Sequence, residues 1–132
     1  MFLVDTCVLS EARRGSVKAV EWLTTADSDT IYLSVITIGE IMRGIVLKRR
    51  TDAKAAAALH RWLARLQHSY GDRVLPVDAA VALEWGDLSA ARPRSMADAL
   101  IAATARVHRK IVVTRNVADF ADAGVELLNP WS

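Results

Sequence analysis

The feature that most constrains the fold is the regular alternation of short apolar runs with longer segments of helical periodicity. Five runs read as strands: residues 1–4 (MFLV), 31–34 (IYLS), 73–78 (RVLPVD), 110–114 (KIVVT) and 125–130 (VELLNP). When helices connect successive strands, the strands lie parallel and the helices cover both faces of the sheet. The sequence therefore predicts an α/β fold, a three-layer α/β/α sandwich around a central, mostly parallel sheet of five strands.

The segments between these runs carry helix signals. Helices are predicted over Thr6–Arg14 and Asp52–Tyr70, each stopped by a glycine, and over Met96–His108. Asp78 is placed to cap the helix that begins after it. The helix that follows the second strand has an apolar face formed by Ile38, Ile41, Met42, Ile45 and Val46. A short turn or helix is expected at "NVADF".

Length and composition fit one soluble domain. The chain has 132 residues, of which 52% are hydrophobic and 24% charged. A chain of this length covers roughly 68% of its unfolded surface on folding, so a single domain spanning residues 1–132 is expected. No apolar run approaches the roughly 18 residues of a membrane span, and the N-terminus lacks the pattern of a secretion signal. A cytoplasmic location without membrane contact is expected.

Acidic residues follow the predicted strands or begin the helices next to them. Asp5 ends the first strand, Glu40 lies in the first turns of the helix after the second, and Asp98 lies in the first turn of the helix before the fourth. Asn116 and Asp119 follow the fourth strand directly. Ligands of parallel sheets bind outside the carboxyl ends of the strands. The four regions are therefore expected to meet at one edge of the sheet.

Carboxylates brought together in this way repel one another unless protons or a cation compensate their charge. Oxygen ligands favour a hard ion, Mg²⁺ or Mn²⁺. Such an ion can activate a water for attack on a phosphodiester, and a second ion about 3.5–4 Å away can stabilise the leaving oxygen. Taken alone, an acid such as Asp98 also has a simpler interpretation, as a residue that complements the helix dipole. Four acids at four strand ends favour the metal site.

Four segments, in order and at their separations, carry a more specific signal. They are "LVDTCVLSE", "LSVITIGEIMRG", "MADALIAATA" and "VVTRNVADF", with "NPW" near the C-terminus. These segments resemble the motifs of the PIN-domain ribonucleases, and within them the VapC-type toxins of bacterial type II toxin–antitoxin pairs, especially the FitB-like branch. The resemblance covers the full chain.

The resemblance implies a PIN-like fold and an endoribonuclease that cleaves single-stranded RNA by a metal-activated water. Asp5, Glu40 and Asp98 carry over as the principal acids. It makes Asp5 and Asp98 the direct metal ligands, while Glu40 acts through water or on a second ion. The fourth site residue is either Asn116 or Asp119, since family members place an acid at one or the other position. Here only Asp119 is acidic.

Other residues enter by the same resemblance. Thr6 and Thr114 are expected to orient ligands through their hydroxyls. Cys7, where the family commonly has asparagine or serine, is interpreted as a small helix residue. Basic residues near the acid edge are candidates to hold RNA phosphates: Arg13, Arg14, Arg43, Arg92, Arg94 and Arg115. The family further implies a homodimer and a small cognate antitoxin whose tail crosses the acid pocket.

Two rival interpretations remain open. A phosphatase of the haloacid-dehalogenase-like class also has an aspartate after its first strand, but it needs a second acid two residues later. Here that position is Cys7, which argues against this class. A non-catalytic RNA- or partner-binding module with the same fold would retain affinity and give no metal-dependent product.

Overall fold

The computed structural model describes residues 1–132 and contains five strands and seven α-helices. The strands are β1 (Phe2–Val4), β2 (Ile31–Ser34), β3 (Val74–Leu75), β4 (Ile111–Val113) and β5 (Leu127–Leu128). The helices are α1 (Thr6–Arg13), α2 (Val17–Thr25), α3 (Val35–Arg49), α4 (Ala53–Tyr70), α5 (Ala79–Ala91), α6 (Met96–His108) and α7 (Val117–Phe120). No helix has the length and apolar character needed to cross a membrane.

The strands form one parallel sheet in the order β3-β2-β1-β4-β5. The chain starts at the centre with β1, builds β2 and β3 on one side, and then crosses to the other side for β4 and β5. The strand order therefore reverses between β1 and β4. In parallel α/β sheets a crevice opens at this point, at the carboxyl ends of the two strands. The predicted five-stranded α/β fold is confirmed, with every pairing parallel.

The side chains of the central strands alternate between two apolar layers. Leu3 and Val112 pack in a cluster with α5 and α6, whereas Val4 and Val113 pack in a cluster with α1, α2 and α4. All four side chains are fully buried. Helices thus cover both faces of the sheet, as expected for a three-layer sandwich.

Helix α6 is the most deeply buried helix, and its composition explains this. Every residue from 99 to 105 is buried, and most of them are alanines, whose small side chains let neighbouring elements approach from all sides. The hydroxyl of Ser95 caps α6 by accepting from the N–H of Asp98 at 3.1 Å. A rigid, buried helix therefore fixes the position of Asp98 at the carboxyl edge of the sheet.

The structure corrects some predicted boundaries and faces. The third strand is Val74–Leu75; it ends at Pro76 as expected, because proline lacks the N–H that would continue the ladder. The fifth is Leu127–Leu128. Val46, predicted on the inner face of α3, is 40% exposed. The predicted cap at Asp78 is confirmed, since its carboxylate accepts from the N–H of Val81 at 3.0 Å.

Candidate active site

Asp5 is held at the reversal of strand order by its backbone and its side chain. Its N–H donates to the carbonyl of Val113 at 2.9 Å and joins the end of β1 to the end of β4. One carboxylate oxygen accepts from the N–H of Thr6 at 2.8 Å and so caps α1. The other accepts from the hydroxyl of Thr114 at 2.8 Å and from the thiol of Cys7 at 3.3 Å. Asp5 is only 5% exposed, so these donors fix the direction of its carboxylate.

Glu40 is joined to the same edge through a chain of hydroxyls. The hydroxyl of Thr6, which follows Asp5 directly, donates to Oε1 of Glu40 at 2.7 Å. The oxygen of that hydroxyl also lies 3.0 Å from the hydroxyl oxygen of Thr37, which is fully buried in α3. α3 begins at the end of β2, and its N-cap Ser34 accepts from the N–H of Ile36 at 3.0 Å. The start of α3 thus brings Glu40 to the end of β1.

The pKa of Asp98 shows which other acids lie near it. Burial raises the pKa of Asp98, the hydrogen bond with Ser95 lowers it, and the negative charges of Asp5, Asp119 and Glu40 raise it further. A carboxylate responds in this way only to like charges that are close and incompletely screened. Asp5, Glu40, Asp98 and Asp119 therefore form one group, called the acidic cluster below.

The two candidates for the fourth site residue, Asn116 and Asp119, differ in charge and in contacts. Asp119, in the first turn of α7, adds its charge to the field that acts on Asp98. Asn116 carries no charge and is exposed. Its backbone N–H donates to the hydroxyl of Thr114 at 3.0 Å, and its carbonyl accepts from the N–H of Asp119 at 3.0 Å. Asn116 supports the turn that positions Thr114 and Asp119.

No member of the acidic cluster has a cationic partner within the chain. The ion pairs lie elsewhere: Glu11 pairs with Arg14, and Glu84 and Asp87 both pair with Arg106. Glu84 and Asp87 are thus engaged with an arginine. Asp5 is buried and Asp98 is half-buried, and carboxylates withdrawn from water are costly unless something compensates their charge. For these two carboxylates, no cationic side chain of the protein supplies that compensation.

The donor chemistry of the acidic cluster fits a hard divalent cation. Its groups are carboxylate oxygens, with the hydroxyls of Thr6 and Thr114 beside them, and such oxygens are the ligands that Mg²⁺ and Mn²⁺ prefer. Of the roughly four acceptor positions of an ionised carboxylate, the three bonds to Asp5 leave one for a cation. No group of three or more Asp, Glu, His and Cys side chains stands close enough in this arrangement to hold a metal ion. Like charges that no cation compensates favour such separation.

Cys7 has a contact that the sequence interpretation missed. Its thiol bonds to Asp5, and its sulfur lies 3.8 Å from the hydroxyl oxygen of Thr114. Burial, followed by the negative charge of Asp5, raises the pKa of Cys7 to about 11. The thiol therefore keeps its proton at neutral pH and acts as a donor to Asp5. The position of Cys7, two residues after Asp5 in the first turn of α1, is the sequence feature that indicates this contact.

Two of the candidate RNA-binding arginines are used inside the fold. Arg92 donates to the carbonyls of Ala118 and Ala121 at 3.1 and 3.0 Å, and Arg94 donates to Ala121 at 2.8 Å. These bonds fasten α7 to the loop that precedes α6. Arg92 and Arg94 thereby set the separation between the two elements that carry Asp119 and Asp98.

The other candidate arginines are more accessible. The guanidinium carbon of Arg13 lies 5.7 Å from the ring centroid of Trp62, and that of Arg115 lies 4.7 Å from the ring centroid of Trp131. Arg43 is exposed on α3, and Arg13 and Arg115 are exposed as well. Their charged heads remain available to phosphates.

Known proteins are similar to this chain in sequence and in fold. Residues 2–125 match the family model of the PIN domain. The chain is 34% identical to Toxin FitB of Neisseria gonorrhoeae, over 99% of each protein. It is 32% identical to VapC ribonuclease Y4jK of Sinorhizobium fredii, over 99% of this chain and 98% of that protein. It is also similar to the crystal structure of FitAcB from Neisseria gonorrhoeae, with a TM-score of 0.90, 33% identity and coverage of 99% of each chain. The family predicted from the four motifs is confirmed.

Proposed function

The chain belongs to the PIN-domain family, and we propose that it is a divalent-metal-dependent endoribonuclease that hydrolyses single-stranded RNA as the toxin of a toxin–antitoxin pair. The observation that carries this proposal is the acidic cluster without a cationic partner, placed where the strand order reverses. Relatives over nearly the full chain that are named a ribonuclease and a toxin support it.

In this proposal Asp5 and Asp98 hold the cation directly, and Glu40 acts through a water or on a second ion. Asp119 is the fourth acid. The cation is Mg²⁺, with Mn²⁺ as an alternative, and when bound it supplies a water of lowered pKa and offsets the charge that develops on the phosphate. The net reaction joins the water oxygen to phosphorus and breaks one phosphorus–oxygen bond of the RNA chain.

The chain's own residues keep the carboxylates in place for this reaction. Thr114 and Cys7 donate to one oxygen of Asp5, and the N–H of Thr6 donates to the other, which keeps one acceptor position for a ligand. Thr6 donates to Glu40 at 2.7 Å and restricts the orientation of its carboxylate. No side chain has to bond covalently to the RNA, because water is the nucleophile.

We assign RNA positioning to basic residues on the surface around the acidic cluster. Arg13, Arg14, Arg43 and Arg115 are exposed and suit phosphate contacts. The contribution of Arg92 and Arg94 is indirect, through the placement of α7. Such phosphate contacts make binding weaker as the salt concentration rises.

The proposed partners are a small cognate antitoxin and a second copy of the chain. Similar solved structures are titled FitAcB and a toxin–antitoxin complex from Klebsiella pneumoniae, the latter at a TM-score of 0.70 and 25% identity. We propose that the tail of the antitoxin crosses the acidic cluster, that the toxin is a homodimer, and that it acts in the cytoplasm.

The test is a comparison of two acid-to-amide variants on defined single-stranded RNAs. Asp98→Asn keeps the shape of the side chain and loses the charge that holds the cation, so cleavage in Mg²⁺ should be abolished. The matched control is Asp72→Asn, since Asp72 is exposed in the turn before β3, away from the carboxyl edge, and it should cleave like the wild type. EDTA should stop cleavage, and Mg²⁺ or Mn²⁺ should restore it. RNA binding without any metal-dependent product would favour the non-catalytic module.

A further inference from the structure

A groove opens beside the acidic cluster, between α1, α3 and α4. Its volume is ≈ 590 Å³. Thr6 and Glu40 line this groove and also bond to each other at the edge of the acidic cluster. The groove therefore borders the acidic cluster. A chain bound at the acidic cluster can extend into the α1–α3–α4 groove without leaving the surface.

The α1–α3–α4 groove combines an apolar lining with a basic one. Ile41, Leu59 and Trp62 supply the apolar part, and Arg13, Arg14 and Lys48 supply the basic part. The guanidinium of Arg13 lies over the indole of Trp62, with its carbon 5.7 Å from the ring centroid, so a flat aromatic group and a flat cation lie next to each other there. Nucleic-acid bases stack on both kinds of plane, and phosphates pair with the flanking cations.

Gly44 leaves this groove open. It lies within α3, where glycine destabilises a helix relative to alanine. Crowding does not explain it, because a Cβ built on Gly44 would meet no atom within 4 Å. Gly44 lines the α1–α3–α4 groove, and a missing side chain at such a position lets a ligand approach the helix backbone closely.

We propose that the α1–α3–α4 groove binds the base of a nucleotide next to the scissile phosphate, and so determines which RNA sequences are cleaved. This rests on the proposed ribonuclease function and deepens it. Trp62 and Arg13 provide the stacking surface, Arg14 and Lys48 face the phosphates, and Gly44 provides the room. The mixture of stacking planes and cations matches a nucleotide, which has a flat base and a negative phosphate, better than it matches an uncharged ligand.

The variant that tests the groove should fill it without disturbing the fold. Trp62 is a poor choice, because it packs against two of the apolar clusters and its removal would destabilise the chain. Gly44→Leu places a side chain into open space and improves helix propensity. Gly86→Leu is the matched control, since Gly86 also lies within a helix, in α5, and a Cβ there would also meet nothing within 4 Å.

The substrates are short RNAs of one sequence in which a single abasic nucleotide is moved step by step across the cleavage site. At one position near the scissile bond, loss of the base should lower cleavage by wild type and by Gly86→Leu about tenfold, within the range for loss of one stacked base. Gly44→Leu should cleave the intact RNA about tenfold less than wild type and should lose the difference between intact and abasic RNA. Thermal unfolding should show that all three proteins are folded.

Equal dependence on the base in wild type and Gly44→Leu would overturn the proposal and would leave the groove to a peptide segment of a protein partner. Different results would contradict the groove proposal and the ribonuclease proposal. Absence of metal-dependent cleavage by wild type contradicts the ribonuclease. In that case the groove is tested by binding alone. Fluorescence anisotropy measures the affinity of the same RNAs for the Asp98→Asn protein and for the double variant that also carries Gly44→Leu. Equal dependence of both affinities on the base would overturn the groove proposal.

Discussion

The acidic residues at the two ends of helix α6 differ in whether they have a cationic partner. At its last turn, Arg106 pairs with Glu84 at 3.3 Å and with Asp87 at 3.5 Å, so each acid there has a cationic partner within the chain. At its first turn, Asp98 faces the negative charges of other carboxylates and no cation. The acids at one end have a cationic partner in the fold, and those at the other end have none. This difference distinguishes acids that serve the fold from acids that serve a ligand.

The largest effect on RNA cleavage is expected when one acid of the acidic cluster is replaced by its amide, compared with the same replacement at the other end of α6. Asp5→Asn should lower RNA cleavage by roughly 10²–10³-fold or more, the range for removing one preorganised electrostatic group. Asp87→Asn should leave cleavage unchanged, because Asp87 is 73% exposed at the side chain and serves only the pair with Arg106. Rates on one defined RNA in Mg²⁺ decide this. Equal losses in both variants would erase the distinction between the two ends.

A second, smaller effect should come from the hydroxyl that orients Asp5. Thr114→Val removes a donor to the carboxylate while preserving its shape, and such supporting contacts are worth roughly 10–100-fold in metal affinity or activity. Thr114→Ser should restore most of the loss. Thr104→Val is the control, because the buried hydroxyl of Thr104 bonds only to the carbonyl of Leu100 within α6. Cleavage rates are measured while Mg²⁺ is titrated. If Thr104→Val cleaves at the wild-type rate, the loss in Thr114→Val comes from the missing bond to Asp5.

The charge of Asp98 should also be visible in stability without divalent cations. Its folded-state pKa lies above the ordinary value of 3.8, so ionised Asp98 destabilises the fold at neutral pH. The cost is full above the folded pKa and absent below 3.8. Asp98→Asn should therefore raise the thermal midpoint in EDTA at pH 7, and the gain should vanish as the pH falls below 3.8. A variant less stable than wild type at pH 7 would contradict this sign.

The smallest effect is expected at Cys7. Cys7→Ser keeps a donor to Asp5 and should retain nearly full cleavage, whereas Cys7→Ala loses the donor and should be reduced a few-fold. The effect is small because Thr114 and Thr6 still hold the carboxylate. Cleavage rates in limiting Mg²⁺ give the comparison. Identical rates for the alanine and serine variants would show that the thiol only fills space.

Much of the fold, and the placement of Asp5 and Asp98 at one edge of the sheet, could be predicted from the sequence because local signals agree with the final structure. Apolar runs, caps and the alanine-rich α6 fix the elements, and the reversal of strand order brings Asp5 and Asp98 to one edge. Local sequence patterns do not predict which distant residues contact each other. Arg92 and Arg94 looked like phosphate ligands, yet tertiary contacts use them to hold α7. The bond of Cys7 to Asp5 depends likewise on geometry inside the first turn of α1.

The most direct test of the central claim, that the acidic cluster is completed by a divalent cation, is thermal unfolding with and without Mg²⁺ or Mn²⁺. A cation that binds only the folded chain raises the midpoint, by about 5–10 °C at a concentration near 100 times Kd. We predict this rise for wild type and for Asp87→Asn, and none for the double variant Asp5→Asn with Asp98→Asn. An equal rise in all three proteins, or no rise in wild type, would contradict the account.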